Sequence, residues 1–358
     1  MPELIVVNLS RSNTGVSATA AQVARHHLPH YDLEIAGFQL SDLPSPISMA
    51  AARRLSGRPP AHRPFVIWHA RRNREMQAGI WARDILRLPI RLVFSSAAQR
   101  YHSHWPRWLI SRMDAVIATT PKAAEFVPNV AGVVPHGVDE KAFFPAVDRA
   151  VAWKELGYPG KLGVATIGRV RPEKGTDRFV EAMIQLLPDL PDVTALVIGR
   201  TTRKHHVFDL KLKDRVQRAG LINRILFVDE VEFSKMPKIL RALTLVVQLP
   251  RYEGYGIVPL QGLASGTPFV GSDAGNFMAF SNDGETGRII DSQNITMTTQ
   301  VIRRLIIDHE CHADMAKKAV RLARTRFGIE QEASGIATVY EKLWSLSPRF
   351  TNNEHLES

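Results

Sequence analysis

The chain has one cysteine, Cys311, in 358 residues. No intramolecular disulfide can form, and no thiolate cluster can hold a metal. No apolar run approaches the roughly 18 residues that a membrane-spanning helix needs. The amino terminus, Met1-Pro2-Glu3, leads into an apolar strand without the basic stretch and cleavage site of a secretory leader, so a cytoplasmic protein is expected. The fingerprint G-x-G-x-x-G does not occur, which argues against a nicotinamide dinucleotide enzyme. Between residues 43 and 113 lysine is absent, and the only acids are Glu75 and Asp84 against thirteen arginines. No zinc-ligand spacing, RNP-like aromatic strand or basic zipper accompanies that charge, so nucleic acid is not an expected partner.

What remains is an ordinary globular composition, 45% apolar and 23% charged, in a chain long enough for two domains. The formal net charge is +11. Arginine keeps its charge when partly desolvated and grips phosphate or carboxylate in a planar fork. Apart from a plain solvated face, the arginine-rich stretch suits an anionic membrane surface or an acidic acceptor substrate. Short β-rich runs alternate with helical patterns, at residues 4–9, 65–69, 91–94, 115–118 and 132–134, then 162–167, 194–198, 225–228, 245–249 and 267–271. Strands separated by helices predict parallel sheets in an α/β protein. The expected domains are 1–150 and 151–330, with a further helix and a polar tail in 331–358. Trp81, Trp105 and Trp108 fall in helical patterns at 75–86 and 105–112 and are assigned to packing.

Residues 251–290 carry the clearest chemistry. The run 245–249 feeds the helix pattern 257–264 through Tyr252-Glu253-Gly254-Tyr255-Gly256. Gly254 and Gly256 permit backbone conformations closed to other residues, and the loop N–H groups, as far as Ile257, lie at the positive end of the helix. Two glycines serve a bare turn equally well. As a site, the loop suits a phosphate, while the Glu253 carboxylate suits neighbouring hydroxyls. A sugar carried on a diphosphate meets both demands. A second loop, 168–175, holds Arg169 and Lys174 around a glycine-bearing helix start. One as a fork and the other as a point charge, they can neutralise a diphosphate. A polar loop at 10–16 puts Gly15 after the first strand, where a substrate contact would fall. His69 ends the strand 65–69, and in an open parallel sheet the ligand crevice lies beyond the strands' carboxyl ends. Arg71, Arg72 and Arg74 follow it as candidate acceptor contacts.

The segment E-G-Y-G-I-V-P-L-Q-G-L-A-S-G-T-P-F-V at 253–270, with D-G-E-T-G at 283–287, resembles the carboxy-terminal signature of retaining glycosyltransferases of family 4. There E-G-F-G-x-x-x-x-E-A-x-A-x-G-x-P-V-V precedes a D-G-x-T-G turn. G-R-V-R-P-E-K-G at 168–175 is similar to the family's G-R-x-x-x-E-K-G, and V-P-H-G-V-D at 134–139 to its I-P-N-G-V-D, with His136 replacing asparagine. Residues 11–18, 69–71 and 251–254 look like those of lipopolysaccharide core mannosyltransferases of Gram-negative bacteria.

The resemblance implies the GT-B fold, two Rossmann-like parallel-sheet domains facing across a cleft, with the last helix returning to the first domain. It implies a nucleotide-sugar donor, GDP-mannose, held by Arg169, Lys174, Glu253, Gly254, Tyr255, Gly256, Ile257, Gln261 and Gly15. It also implies an anionic inner-core glycolipid acceptor on the first domain, retention of configuration, and His69 near the transferred sugar. Catalysis would fall to His69, Glu253, Arg169 and Lys174. No cofactor and no metal are expected, and D-x-D is absent. The enzyme would work in the cytoplasm or on the inner face of the membrane. One departure stands out: Gln261 occupies the place of the family's second glutamate, which takes the ribose hydroxyls. Two alternatives remain open, a UDP-glucose or other donor with a different acceptor, and a non-catalytic basic binding protein whose donor site has decayed.

Overall fold

The computed structural model describes residues 1–11 and 15–346. Among them are two compact units, Met1–Gly137 joined by the chain from Ile329 onward, and Val138–Gly328. The polar tail 347–358 and Ser12, Asn13 and Thr14 of the first loop lie outside the described residues.

The first unit is built on β1 (Leu4–Asn8), β2 (Leu33–Gly37), β3 (Val66–Ala70), β4 (Ile90–Ser96), β5 (Ala115–Ala118) and β6 (Val130–Val133). They form one sheet in the order β2-β1-β3-β4-β5-β6, every pair parallel. Its central strands are apolar runs because both faces are covered. Leu4, Val6, Ile67, Val93 and Ile117 face one cluster, with the helices Gly15–His27 and Ile329–Ser345. Ile5, Val7, Trp68, Leu92 and Phe94 face the other, under the helices Asn73–Ile80 and His104–Ser111. In Ile329–Ser345, Ile336, Val339, Tyr340 and Trp344 are buried, and Leu343 is partly so.

The second unit repeats the plan with β7 (Leu162–Ile167), β8 (Val193–Ile198), β9 (Ile225–Val228), β10 (Leu245–Gln248), β11 (Phe269–Ser272) and β12 (Gly287–Ile290). The order is β12-β11-β10-β7-β8-β9, again all parallel. The chain starts in the middle, builds one half outward, and jumps back to build the other. Its topological switch point therefore lies between β7 and β10.

Several expectations need correction. The division falls between Gly137 and Val138, not at 150, and the chain rejoins the first unit at Ile329. The reason is local: the Val138 N–H donates to Phe327 O at 2.8 Å, Phe143 is buried, and Trp153 in the helix Arg149–Glu155 packs so closely on Gly163 that a Cβ there would lie 2.1 Å from its ring. β2 and the helix Met49–Leu55 were not expected at all. The pattern 75–86 is an α-helix to Ile80 and then a π-helical turn, Trp81–Ile85. Trp81, Trp105 and Trp108 are not packing residues, being 43%, 53% and 48% exposed.

Trp344 anchors the last helix in the first unit. It is 3% exposed, its indole N–H donates to Phe65 O at 3.0 Å, and the Arg63 guanidinium lies 4.0 Å from its ring centre. Trp344→Ala is expected to cost about 3–5 kcal/mol in urea denaturation; a change below about 1 kcal/mol would show that the helix is held elsewhere.

Candidate active site

The loops that leave β7 and β10 start side by side and diverge, since their chains turn toward opposite halves of the sheet. Three ties fix them to each other. Gly175, at the start of the helix Thr176–Leu186, sits at φ 68° under the Leu249 carbonyl, where a Cβ would come within 1.8 Å of the oxygen. The Arg251 N–H donates to Glu173 O at 2.9 Å. The Arg251 guanidinium grips Asp177 through two bonds of 2.8 and 2.7 Å and also reaches Pro172 O.

Between these ties lie the predicted site residues. Lys174 Nζ donates to Glu253 Oε2 at 2.5 Å, and the other carboxylate oxygen accepts the Gly254 N–H at 3.1 Å. Gly256 caps the helix Ile257–Ala264 at φ 84°, pressed on Phe277, whose ring a Cβ would meet at 2.1 Å. Tyr255 is buried edge-on to Phe280, and its carbonyl accepts the Asn276 N–H at 2.9 Å. Gln261 is buried in the same helix, 4% exposed. Arg169 is an exposed residue close enough to this group to feel the Glu253 charge. Burial first, then the like charges of Arg171 and Arg200, push its guanidinium below its ordinary value. It remains a cation, and crowding of like charge makes an anion the favoured occupant.

Sequence reasoning missed two parts. The loop after β11 closes on the site: Gly275, at φ 58°, has room for no Cβ, which would lie 2.5 Å from Tyr255 O and 3.1 Å from Glu253 Cγ. A glycine four residues past a strand run was the available signal. The loop after β8 adds Thr202, Lys204 and His205, which with Arg169, Arg171 and Glu173 line a pocket of about 220 Å³. The basic run 200–206 following Gly199 announced it. Arg171 Nε is buried there without a hydrogen bond.

The residues predicted in the first unit fare differently. Gly15 is exposed and is the first residue of a helix, not the end of a loop. His69 does not face an open crevice: it is 1% exposed, with Nδ1 2.5 Å from the Tyr340 hydroxyl and Nε2 2.8 Å from Ser95 Oγ. Burial, with Arg71 and His27 behind it, drives its pKa well below 6.5, so the imidazole is neutral. The two hydroxyls can complement either tautomer. Arg72 is an internal strut, bonded to Glu75 at 3.0 Å, Asn8 at 3.2 Å and Ser17 at 2.8 Å. Arg74 is exposed. Arg71 differs from both, because its Nε and one Nη are buried and make no hydrogen bond. An orphaned guanidinium is costly unless an anion completes it.

The neutral state of His69 has a pH consequence. Below 6.5 the unfolded chain binds a proton that the native His69 refuses, so stability is full above 6.5 and falls as pH drops below it. His27 and His312 act in the same direction, chiefly through burial. The melting temperature is expected to decline through mild acid, and His69→Gln to lower it at neutral pH but to flatten that decline. An unchanged slope in the variant would remove His69 as a contributor.

Residues 150–321 match the family described as glycosyl transferases, group 1. The chain is 41% identical over 343 residues to the lipopolysaccharide core biosynthesis mannosyltransferase LpcC of Rhizobium leguminosarum bv. viciae, covering 95% of this chain and 96% of that one. It is 47% identical over 291 residues to LpsB of Rhizobium meliloti, a protein of the same description, covering 79% and 81%. Among solved structures, the carboxy-terminal domain of Francisella tularensis LpcC is 32% identical, with a TM-score of 0.52 over 54% of this chain and all of that domain. Anabaena Alr3699/HepE, solved with UDP and glucose, superimposes with a TM-score of 0.81 over 96% of this chain and 100% of its own, at 18% identity, a likeness of fold.

Proposed function

The chain belongs to the group 1 glycosyl transferases and has their GT-B fold, and from that premise we propose that it transfers mannose from GDP-mannose to the inner core of lipopolysaccharide, with retention of configuration. The Lys174–Glu253 pair at the switch point of the second sheet, with Arg169 within range of the Glu253 charge, carries this reading. The names of the two rhizobial relatives support the sugar and the acceptor.

In the proposed reaction the bond between the anomeric carbon and the diphosphate oxygen breaks while an acceptor hydroxyl oxygen bonds to that carbon and gives up its proton to the leaving diphosphate. Negative charge grows on the leaving diphosphate. Lys174, held by Glu253, and the backbone N–H groups at Gly256 and Ile257 are in place before the reaction begins, so together with Arg169 they stabilise this charge with little reorganisation. The charge can be met by protein cations alone, and no cofactor or metal is assigned. Lys174 reaches a phosphate while keeping Glu253, since an ammonium has three donors. Glu253 in turn accepts from the sugar hydroxyls. In the first unit, the unsatisfied Arg71 guanidinium is the strongest candidate for an acceptor phosphate or carboxylate. His69 contributes by holding Tyr340 and Ser95 in place. The proposed location is the cytoplasmic side of the membrane, where such an acceptor presents its core.

A thermal-shift panel of GDP, UDP, ADP and GDP-mannose with chelator present tests the donor. Stabilisation by the guanine nucleotides, lost in Lys174→Ala, is expected. A preference for UDP would move the donor to a uridine sugar, and no shift with any nucleotide would favour a binding protein with a decayed donor site.

Gln261 offers a second test. A carboxylate there loses hydration in a buried position unless ribose hydroxyls donate to it. Gln261→Glu is therefore expected to melt lower without nucleotide yet to bind GDP about tenfold more tightly, the effect of one charge-assisted bond. Unchanged or weaker GDP binding would sever Gln261 from the ribose.

A further inference from the structure

One side of the first sheet is covered in sequence by Met49–Leu55, then Asn73–Ile80 with the π turn Trp81–Ile85, then His104–Ser111. Ala52, Met76, Ile80, Leu109 and Ile110 point inward to the cluster that contains Trp68 and Phe94. The outer side of such a layer is polar when it meets only water. Here it presents Trp81, Trp105 and Trp108 at 43–53% exposure, with Ile85 at 66% and Leu86 at 41%.

Local geometry gathers these side chains. In the π turn the Leu86 N–H closes on Trp81 O at 3.2 Å, so residues four and five apart share a face and Ile85 and Leu86 lie beside Trp81. Trp105 and Trp108, one α-turn apart, stack with centroids 5.1 Å apart and planes 10° from parallel. An Arg112–Asp84 ion pair of 2.8 Å ties the ends of the two helical segments, so both apolar groups belong to one helical layer.

The surroundings are cationic. The Arg53 guanidinium lies 5.0 Å over the Trp81 ring, and Arg54, Arg58, Arg87 and Arg107 are exposed. Of the two acids in the stretch, Glu75 is buried and Asp84 is paired with Arg83 and Arg112. Asp114 pairs with Arg83 and Arg91, whereas among the described residues Arg53, Arg54, Arg58, Arg87 and Arg107 have no ion-pair partner.

We propose that this face docks the protein on an anionic lipid surface. Tryptophan suits the water–hydrocarbon boundary because its ring is apolar while its N–H finds partners among head groups. Arginine beside it pairs with lipid phosphates. No described helix is long and apolar enough to cross a bilayer, so the mode is attachment in the interface. A second copy is a poor occupant, since a two-fold contact would set this arginine-rich patch against itself.

The full chain is mixed with vesicles of phosphatidylcholine, or of phosphatidylcholine with phosphatidylglycerol, without nucleotide or sugar acceptor. Binding is read by co-sedimentation and by tryptophan emission. Trp68, Trp153 and Trp344 are buried, so a change in emission reports on the three exposed rings. Binding to the anionic vesicles is expected to be at least about tenfold stronger than to neutral ones, with a blue shift, and to weaken with salt. The double variant W105A/W108A and, independently, the double variant R54E/R107E should each lose about tenfold in binding while keeping the wild-type melting temperature. Equal binding to both vesicles, or variants that bind like the wild type, would overturn the proposal. So would an absence of vesicle binding together with a dimer that W105A/W108A dissolves. Since no donor or acceptor is present, the outcome is independent of the transferase reading.

Discussion

The catalytic half of the molecule depends on one close approach, Gly175 beneath the carbonyl oxygen of Leu249. A side chain at 175 would push the β7 and β10 loops apart, and the residues between them would lose their common address. Arg251 holds the same seam from the other side through Asp177 and Glu173. Lys174 and Glu253 meet because their loops have no freedom to part. The site is thus set by sheet topology and one glycine before any ligand arrives, which is what electrostatic stabilisation of a leaving group requires.

The Lys174–Glu253 pair has a chemical logic of its own. Unpaired, a lysine among Arg169, Arg171 and Arg200 would stand in a field of like charge. Glu253 relieves that field while the site is empty and presents an acceptor to hydroxyls once a diphosphate supplies the negative charge. A cationic site that presents the Glu253 carboxylate beside Lys174 matches a ligand that is anionic at one end and hydroxylated at the other.

Much of this was legible in the sequence, for identifiable reasons. β5, β7 and β9 match their expected bounds because buried parallel strands are unbroken apolar runs flanked by polar turns. The loops of Arg169, Lys174 and Glu253 were readable because glycines and charges recur there at fixed offsets from strand ends. β2, L-E-I-A-G, was overlooked because a charged residue interrupts a short run. The boundary was misplaced because Pro and Gly near residues 145–160 resemble a linker, while the contacts of Phe143 and Trp153 are tertiary. His69 shows the deeper limit: strand-end position was right, but only packing reveals that Tyr340, 271 residues away, caps its ring. The exposure of Trp81, Trp105 and Trp108 was hidden for the same reason, since periodicity alone does not show which apolar residues a helix layer leaves outside.

The central claim is that the two switch-point loops form a diphosphate grip, and calorimetric titration of GDP against GMP measures it most directly. The account predicts that GDP binds at least about tenfold more tightly than GMP, a second phosphate meeting two cations, and that Arg169→Gln and Lys174→Met each erase most of that preference. Equal affinity for the two nucleotides in the wild type, or a preference that survives both substitutions, would contradict it.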